Sequence, residues 1–543
     1  MLVSQTKPQC VSSVEAMEPL DLLIVGAGLS AVDMAHHVHK NFPNWNWAVV
    51  DSNSDIGGTW NTFTYPGIRS DSDMATFALP FKRWPHKGTL GSGAQIKEYT
   101  REAAEECGML DRLEPSTWVQ RINFHTDKGL WEVTALQAPK GTDNSEGRAA
   151  VHGADHSGVE QKIETKTYWA KWVHLAAGYY RHSSGFTPTI TGIDDFQGTV
   201  IHPQRWPDNL DVSGKRVVVV GSGATAVTLM PALHEMGARA TMLQRTPTYI
   251  APLPNDDRIS KVVGLGFNME PGKRGHTIAR NLHIFRDMFQ YHFCQTFPWV
   301  ARKYFWAMNR QYINGAEIKK NFTPPYNPWD QRVCKSPDGD FFRALKDGAS
   351  VVTGAISTVT ADGIDLIDGR HIPADIIVTA TGLQLQPFGN LTFAVDGQDI
   401  PTKSLVAYRS MLGNRLPNVS YTIGYLNQSW TLRADMTSRY LVKLWQDMRA
   451  RGDKWAAPVL PEGVAADRPM LEMTSGYIQR SIDELPRQGA ADPWRMEHDY
   501  IKERRTYLSQ DNTKDMVFGQ DALDAAAVLA RTASGGGAEV LQH

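Results

Sequence analysis

Two glycine-rich motifs have the composition and spacing of a phosphate-binding turn. The first, Gly26–Ala31 with the letters GAGLSA, directly follows a run of apolar residues. The second, Gly221–Ala226 with the letters GSGATA, follows a similar run. In such a turn the first glycine allows a sharp bend, the second lets the backbone approach a pyrophosphate, and the third small residue lets the helix pack on the strand. The two motifs therefore indicate the binding of two dinucleotides.

The residue that follows the next apolar run distinguishes the two motifs. Trp47–Val50 ends in Asp51, and an acid in that place accepts hydrogen bonds from ribose hydroxyls. Ala240–Leu243 leads instead to Arg245 and Thr246. Arginine suits a 2′-phosphate, which an acid would repel, so the second site favours NADPH. The alternative is that Arg245 is a solvated surface charge.

A loop with paired glycines and opposite charges follows the first motif. It contains Gly57–Trp60 and Tyr65–Asp71, in which Arg69 and Asp71 stand two residues apart. A glycine pair lets the backbone run close to a ligand, and a tryptophan supplies a large flat surface. A surface loop with an ion pair that contributes little is the alternative. The aromatic residues of the loop favour a partly buried position.

The stretch Tyr168–Val220, centred on Phe196–Pro207, joins the two glycine motifs. We expect it to pass near the place where the two cofactors meet, and the chemistry to occur there. An ordinary interdomain linker is the alternative, because any two domains need a connection.

The elements around these motifs predict an α/β chain with two Rossmann-like dinucleotide-binding domains. Further expectations are a helix over 95–115, a hairpin of strands at Trp118–Asn123 and Leu130–Thr134, and a long exposed loop over 137–161. The predicted division of the chain is a disordered extension at 1–20, an FAD-binding domain at 21–177 plus 382–510, an NADPH-binding domain at 178–260 plus 323–381, a helical insertion at 261–322 and a disordered or loosely docked tail at 511–543.

The predicted insertion is basic and aromatic. Residues 261–320 hold ten Lys or Arg against three Asp or Glu, with nine aromatic residues interleaved between Phe285 and Trp306. We interpret it as a small helical subdomain with an aromatic core and a basic exterior. A membrane-surface or nucleic-acid patch is the alternative, and weak peripheral membrane contact stays open.

Composition narrows the class of protein. With 543 residues the chain predicts about three to four structural units. The formal charge of −2 gives no general case for nucleic acid, and no apolar run approaches the length of a membrane span. The four cysteines form no Cys-x-x-Cys pair, which argues against a structural metal site or a dithiol centre. We expect no metal and a cytoplasmic location.

Two longer motifs carry a family resemblance. They are Phe-x-Gly-x3-His-x3-Trp-Pro over Phe196–Pro207 and Gly-Gly-x-Trp-x4-Tyr-Pro-Gly-x3-Asp over Gly57–Asp71. The chain resembles the class B flavin-dependent monooxygenases, and within them the type I Baeyer–Villiger monooxygenases, with the ethionamide-activating subgroup most similar. The related heteroatom-oxygenating enzymes usually have Tyr or Phe where Trp206 stands.

The resemblance implies FAD in the first site, NADPH in the second, and insertion of one oxygen atom of O2 beside a ketone carbonyl to give an ester or lactone. Arg332 would supply the fixed cation that keeps the oxygenating peroxide anionic, and Asp71 would hold it. Arg69 and Ser70 would lie near the nicotinamide half of NADPH. His202 and Trp206 would couple the two domains. The expected cofactor-binding residues are Gly26, Gly28, Ser30, Asp51, Thr59, Trp60, Asn61, Thr62, Arg69, Ser70, Asp71, Val119, Gly221, Ser222, Gly223, Ala224, Thr225, Ala226, Val227, Arg245, Thr246 and Gly382.

One departure and three competing functions remain at this point. Gln331 stands where some members have a Lys that helps to hold the 2′-phosphate, which leaves more of that contact to Arg245. A heteroatom oxygenase acting on sulfides or amines would use the same cofactors, and sulfoxidation is expected as a side activity. A disulfide-reductase type of flavoprotein would need the missing cysteine pair. A non-catalytic FAD- and NADPH-binding sensor would not need Arg332.

Overall fold

The structure is a computed structural model that describes residues 18–144, 163–509 and 512–520. The expected extension at 1–20 lies outside the described residues except for its last three, and most of the expected loop at 137–161 lies outside them too. No helix in the described part of the chain is both long and apolar enough to cross a membrane.

Strands and α-helices alternate around the two glycine motifs, whereas two other stretches of the chain, 113–220 and 350–421, contain successive strands without a described α-helix between them. The strands are β1 Leu20–Val25, β2 Trp47–Val50, β3 Leu113–Glu114, β4 Thr117–His125, β5 Leu130–Gln137, β6 Glu164–Leu175, β7 Thr199–Ile201, β8 Arg216–Val220, β9 Arg239–Gln244, β10 Ile250–Leu253, β11 Cys334–Pro337, β12 Ser350–Thr353, β13 Ile356–Thr360, β14 Gly363–Leu366, β15 His371–Pro373, β16 Ile376–Val378, β17 Thr392–Val395, β18 Gln398–Ile400, β19 Ala407–Tyr408, β20 Leu412–Gly413, β21 Val419–Tyr421, β22 Trp455–Pro458, β23 Arg468–Pro469, β24 Arg487–Gln488 and β25 Met516–Gly519. The helices are α1 Leu29–Asn41, α2 Thr59–Thr62, α3 Met74–Phe77, α4 Gly93–Glu106, α5 Ala224–Glu235, α6 Arg258–Gly266, α7 Arg274–Thr296, α8 Pro298–Arg310, α9 Gly315–Asn321, α10 Asp340–Lys346, α11 Trp430–Arg451, α12 Gly476–Gln479 and α13 Tyr500–Tyr507, with short 3-10 helices at Leu110–Arg112, Ile193–Asp195, Pro203–Arg205, Pro387–Asn390 and Thr402–Ser404.

Two sheets organise the chain. The larger sheet is mixed and has eleven strands, and the part with the order β6-β1-β2-β3, which ends at the edge strand β3, is parallel. The strands β17 to β21 return to this sheet from late in the sequence. The smaller sheet has the order β12-β9-β8-β16-β7 and is parallel throughout. The predicted α/β fold with two Rossmann-like sheets is confirmed.

The apolar pattern of the two glycine motifs explains their local structure. The last four residues of β1 are buried, and α1 buries Val32, Ala35 and Val38 against the sheet. Both α1 and α5 begin at a glycine, at Gly28 and Gly223. The hairpin predicted at 118–134 forms as β4 and β5, which are antiparallel.

The helix predicted over 95–115 was too long. α4 begins after a capping box, in which Ser92 and Gln95 each hydrogen-bond to the backbone of the other, and it ends at Glu106. Gly108 then takes a left-handed conformation with φ of 68°. The chain continues into β3, which pairs with β2. The turn at Gly108 therefore ends the helix and adds an edge strand to the large sheet.

The expected tail was only partly correct, because its first residues are integrated in the fold. β25 pairs with β22 in antiparallel register. The buried Asn512 carbonyl accepts hydrogen bonds from Arg409 Nε at 3.0 Å and from Tyr440 Oη at 2.9 Å. These contacts fix the chain as far as residue 520, and 521–543 lies outside the described residues.

The insertion predicted at 261–322 forms four helices, α6 to α9, as expected. The predicted aromatic core was wrong, because most of its aromatic side chains are exposed and Phe305 is the one that is fully buried. The insertion also buries aliphatic, small and polar side chains, such as Ile284, Ala301 and His283.

His283 links the insertion to the large-sheet unit. Its Nε2 lies 2.9 Å from Asp257 Oδ1 and its Nδ1 lies 3.3 Å from Asp73 Oδ2, and its side chain is 1% exposed. Burial alone would lower the pKa of His283, but hydrogen bonds to the two carboxylates and their charges raise that pKa to about 9.

We expect the docking of α7 to weaken in alkaline solution. A histidine whose pKa is raised on folding stabilises the fold fully below its ordinary pKa of about 6.5, and this stabilisation is lost as the pH rises through about 9. The loss should amount to about 3 kcal/mol in the free energy of opening α7, measured by hydrogen exchange across this pH range. His283→Gln should open with little pH dependence. An equal slope in both proteins would contradict the role of His283.

Candidate functional site

The first glycine turn is shaped for close backbone contact. Gly26 has φ of 107°, and a Cβ there would lie 2.6 Å from the Ala176 carbonyl oxygen. The Cα atoms of Gly28 and Gly58 face each other, and a Cβ on Gly58 would lie 3.3 Å from Gly28. No side chain caps the N-terminus of α1, and its first turn has no acidic residue. The backbone amides and the helix dipole are thus directed to a place that suits phosphate.

Asp51 supports this turn from the end of β2. Its buried carboxylate accepts hydrogen bonds from the Ala27 amide at 2.5 Å and from the Asn53 amide at 2.7 Å. Burial raises the pKa of Asp51 to about 6, although these hydrogen bonds favour the ionised form. Asp51 lines two neighbouring pockets. The larger one is the cavity described below, and the smaller one is also lined by Val119.

A cavity of about 270 Å³ extends from this turn toward the small sheet. Its walls come from the turn after β1, the loop after β2, the end of β6 and the start of α5. The predicted site residues that line it are Gly26, Gly28, Ser30, Asp51, Thr59, Trp60, Arg69, Asp71, Ala224, Thr225 and Arg332. The cavity therefore joins the two glycine motifs.

Arg332 and Asp71 form an ion pair at the far end of this cavity. Arg332 Nη1 donates to Asp71 Oδ2, and the side chains are 29% and 39% exposed. Burial opposes ionisation of Asp71, but the Arg332 guanidinium lowers the pKa of the carboxyl below its ordinary value. Burial likewise disfavours the Arg332 cation, but the Asp71 charge raises the pKa of the guanidinium well above its ordinary value. Both side chains of the pair are therefore ionised at neutral pH. The Arg332 Nε atom is buried and has no hydrogen-bond partner among the described residues.

Aromatic side chains close the cavity between the pair and the first glycine turn. Tyr179 stacks on Trp430 with ring centroids 4.9 Å apart. Trp430 Nε1 donates to Ser30 Oγ at 2.8 Å, which connects α11 to the first turn of α1. The Tyr179 and Tyr180 hydroxyls lie 3.3 Å apart, and burial raises the pKa of both. The wall is thus made mainly of aromatic rings, with the two tyrosine hydroxyls as its polar groups.

Arg69 and Ser70 occupy different environments. Arg69 Nη1 donates to Asp340 Oδ2 at 2.5 Å, so it pairs with α10 and leaves Asp71 to Arg332. Ser70 is buried, and its hydroxyl donates to the Ser72 carbonyl at 2.9 Å. Ser70 therefore fixes the loop and does not line the cavity, whereas Ser72 does.

The second glycine turn repeats the geometry of the first. Gly221 has φ of 140°, and a Cβ there would lie 2.2 Å from the Ala380 carbonyl oxygen. Ser222 Oγ donates to the Thr246 carbonyl at 2.9 Å, which joins the turn to the end of β9. Gly223 begins α5, which has no side-chain cap and no acid in its first turn. Arg245 is exposed beside this turn, and no described residue forms an ion pair with it.

His202 lies between the two connections that join the sheets. Its Nδ1 accepts from the Gln204 amide at 3.2 Å, so Nε2 carries the proton and donates to the Gly382 carbonyl at 3.3 Å. Burial lowers the pKa of His202, which keeps the ring neutral. Gln204 Nε2 donates to the Arg181 carbonyl at 2.8 Å. Trp206 packs against the core of the small sheet.

Comparison with known proteins identifies the family. The NAD(P)-binding Rossmann-like domain matches residues 24–86. The FAD-containing monooxygenase EthA of Mycobacterium tuberculosis is 40% identical over 491 residues, which are 90% of this chain and 95% of that protein. The chain belongs to the FAD-containing monooxygenases. The resemblance seen in the motifs is thereby confirmed. The probable FAD-binding monooxygenase AlmA of Acinetobacter sp is 37% identical to this monooxygenase over 509 residues. The alignment covers 93% of this chain and 96% of AlmA.

Solved structures of low identity share the fold of this monooxygenase. Epsilon-caprolactone-bound cyclohexanone monooxygenase matches with a TM-score of 0.65 at 19% identity, over 92% of this chain and 99% of that one. Oxidized steroid monooxygenase bound to NADP matches with a TM-score of 0.68 at 17% identity, over 93% of this chain and 100% of that one.

The geometry of the monooxygenase is that of a site for FAD. The two facing glycines, the uncapped start of α1 and the buried Asp51 provide donors and space for a dinucleotide at the first turn. Gly26 and Gly28 would hold the pyrophosphate, and the cavity beyond them would hold the ring system. The second turn offers the same arrangement for a second dinucleotide.

Several predicted residues are not at the cavity. Ala226 and Val227 are buried under the small sheet, and Thr62 Oγ1 lies 3.1 Å from His182 Nδ1. The described contacts do not bring Asn61 to the cavity, and Leu383 lines it where Gly382 was expected. The sequence reasoning missed Tyr179, Tyr180, Ser72, Gln428 and Trp430, which do line it. Tyr179 and Tyr180 directly follow the small residues at the end of β6, and that position in a parallel sheet was the available signal.

Proposed function

We propose that this monooxygenase inserts one oxygen atom of O2 next to a ketone carbonyl and forms an ester or lactone, with NADPH as the reductant. The supporting observation is the ionised Arg332–Asp71 pair in a cavity that also contains both glycine turns. A fixed cation at that place stabilises negative charge during oxygen transfer, and arginine suits the role because it stays charged.

The chain's own residues would divide the work as follows. Bound FAD, once reduced, supplies the activation of oxygen. Arg332 stabilises the negative charge that develops on the oxygen donor and on the ketone oxygen. Asp71 orients the guanidinium and offsets the cost of its burial. Tyr179 and Trp430 keep water from the reacting atoms.

The proposed binding of NADPH depends on the second glycine turn. The start of α5 would hold the pyrophosphate, and Arg245 with Thr246 would contact the 2′-phosphate. Gln331 contributes no charge there. The first domain, 21–177 plus 382–510, would bind FAD, and the second, 178–260 plus 323–381, would bind NADPH, with His202 fixing the connections between them. We further propose a cytoplasmic location and small-molecule ketones or sulfides as substrates.

Arg245→Ala is expected to raise KM for NADPH about ten- to a hundredfold and to change KM for NADH little. A hydrogen bond between charged groups at the 2′-phosphate contributes about 1.5–3 kcal/mol, and NADH lacks that phosphate. Steady-state kinetics with both coenzymes measures the effect. Arg239→Ala, an exposed arginine at the start of β9, is the matched control and should leave both constants unchanged. Equal changes with both coenzymes would place the 2′-phosphate elsewhere.

The proposed function is tested with a panel of ketones and the FAD-loaded full chain. We expect esters or lactones, measured as product and not only as NADPH consumed. NADPH consumption without ester from any ketone would contradict the proposal. Aryl sulfides belong in the same panel, because we expect sulfoxides as a side activity. Sulfoxides in the absence of any ester would favour the heteroatom oxygenase instead.

A further inference from the structure

The exposed apolar side chains of the described chain are concentrated in one region. Ten of the fourteen large ones that are exposed lie between 262 and 306, on or beside the helices of the insertion. Isolated apolar residues on a surface are ordinary, but a concentrated set marks an interaction site. The ten are Val262, Leu265, Phe267, Leu282, Phe285, Phe289, Phe297, Trp299, Tyr304 and Trp306.

Four phenylalanines form a continuous row along α7, which we call the phenylalanine ladder: Phe285, Phe289, Phe293 and Phe297. Successive ring centroids lie 6.4, 6.1 and 5.8 Å apart. The spacing of four residues places them on one face of the helix. Phe285 and Phe289 are 62% and 61% exposed. Phe285 and Phe289 therefore form an exposed apolar surface of the described chain, whereas Phe293 packs partly against the cluster around Phe305.

The same segment of the chain carries many exposed cations. Eight lysines and arginines of residues 261–320 are exposed, against the single exposed carboxylate of Glu270. Two of the cations lie over aromatic rings of the same region, Lys303 at 5.4 Å from the Trp299 ring and Arg274 at 5.5 Å from the Phe267 ring. The eight are Lys261, Lys273, Arg274, Arg302, Lys303, Arg310, Lys319 and Lys320.

We propose that α6, α7 and α8 dock on the surface of an anionic lipid bilayer. Helices that lie in a membrane interface combine aromatic residues on one face with Lys and Arg at its border. The apolar side chains would enter the boundary between headgroups and acyl chains, and the cations would contact anionic headgroups. A second copy of this chain fits less well, because a symmetric contact would bring the like charges of both copies together.

The same helix also lines a second pocket, which lies beside the Arg332–Asp71 pair. Asp287 and Gln290 of α7 line the pocket that contains Asp71 and Arg332. Asp287 lies on the side of the helix opposite to the phenylalanine ladder, as helical spacing requires. A bilayer bound at the ladder would thus lie one helix away from the pocket.

Vesicle binding of the full-length, FAD-loaded protein tests the proposal. The probes are vesicles of phosphatidylcholine alone and vesicles of phosphatidylcholine mixed with phosphatidylglycerol, separated by sedimentation. We expect binding to the mixed vesicles at least about tenfold tighter than to the neutral ones, and weaker binding at high salt. A protein that remains free of anionic vesicles would overturn the proposal.

Two double variants identify the surface. Phe285→Ser with Phe289→Ser should lower affinity for the mixed vesicles at least about tenfold, because two exposed rings no longer enter the interface. Lys303→Glu with Arg274→Glu should remove the preference for anionic lipid. Ile367→Ser is the matched control, since Ile367 is 73% exposed and lies outside the insertion, directly after β14.

The variants also separate the bilayer from other occupants. Retained flavin absorbance shows that each variant is folded, since none of these side chains lines the cavity. Equal vesicle binding by the phenylalanine variant and the Ile367→Ser control would overturn the proposal. The proposal would also be overturned if the wild-type protein is a dimer in sedimentation velocity and the phenylalanine variant is a monomer. The exposed face would then bind a second copy of the chain.

Discussion

Arg332→Ala is expected to keep its FAD and to lose about 10²–10³ in the rate of ester formation, or about 2.7–4 kcal/mol of transition-state stabilisation. The reason is that Arg332 is the cation of the ion pair at the catalytic end of the cavity. Its loss also leaves the half-buried Asp71 carboxylate without its partner. The rate of ester formation from a ketone is measured in a single turnover, and the flavin absorbance is recorded in the same sample. The two readouts separate a loss of oxygen transfer from a loss of FAD.

Two related variants make the test sharper. Arg332→Lys should recover little activity, because an ammonium group lacks the planar fork that Asp71 orients. Asp71→Ala should impair the same step, and the double variant should lose far less than the sum of the single losses. Arg370→Ala is the control, since Arg370 forms an exposed pair with Asp368 far from the cavity. Additive losses would mean that the two residues act separately.

Glu503→Ala is expected to destabilise the C-terminal segment by about 3–5 kcal/mol. Glu503 on α13 and Arg433 on α11 form an ion pair in which both side chains are 0% exposed, and the shortest distance is 2.7 Å. Tyr425 Oη also donates to Glu503, at 2.5 Å, and Tyr425 lines the cavity. Removing the carboxylate leaves the Arg433 charge buried and unpaired, which is the costly outcome for a buried pair.

The measurement for Glu503 is the opening free energy of α13 and the residues after it, read from hydrogen exchange. Lys502→Ala is the matched control on the same helix, because Lys502 is 54% exposed and its pair with Glu497 should contribute less than about 1 kcal/mol. Glu503→Gln should be intermediate, since it keeps the shape and loses the charge. Wild-type exchange in Glu503→Ala would show that the buried pair does not hold this segment.

The parts of the fold and site that were predictable follow from local sequence rules. The turns at Gly26 and Gly221 were identifiable because strand, glycine and helix are adjacent in sequence. The structure shows why each position has no room for a side chain. A Cβ on Gly26 would collide with the Ala176 carbonyl oxygen, and a Cβ on Gly221 would collide with the Ala380 carbonyl oxygen. The pairing of Arg332 with Asp71, 261 residues apart, came from the family resemblance and not from any local pattern.

The parts that could not be predicted depend on tertiary packing. Trp430 reaches the first turn of α1 through Ser30, and no local pattern reports a contact across 400 residues. From the sequence we interpreted the aromatic residues of 261–320, which include the phenylalanine ladder, as the core of a small helical subdomain. In the described chain Phe285, Phe289 and Phe297 are exposed, and only Phe293 packs partly against a buried cluster. Composition alone does not distinguish these two outcomes.

The most direct test of the central claim is the fate of oxygen when the wild-type protein turns over a ketone under ¹⁸O₂ with NADPH. If Arg332 and Asp71 support oxygen insertion, the ester product carries one ¹⁸O atom in the new bridging position, and NADPH is consumed in equal amount. Consumption of NADPH that yields hydrogen peroxide and unchanged ketone would contradict the account.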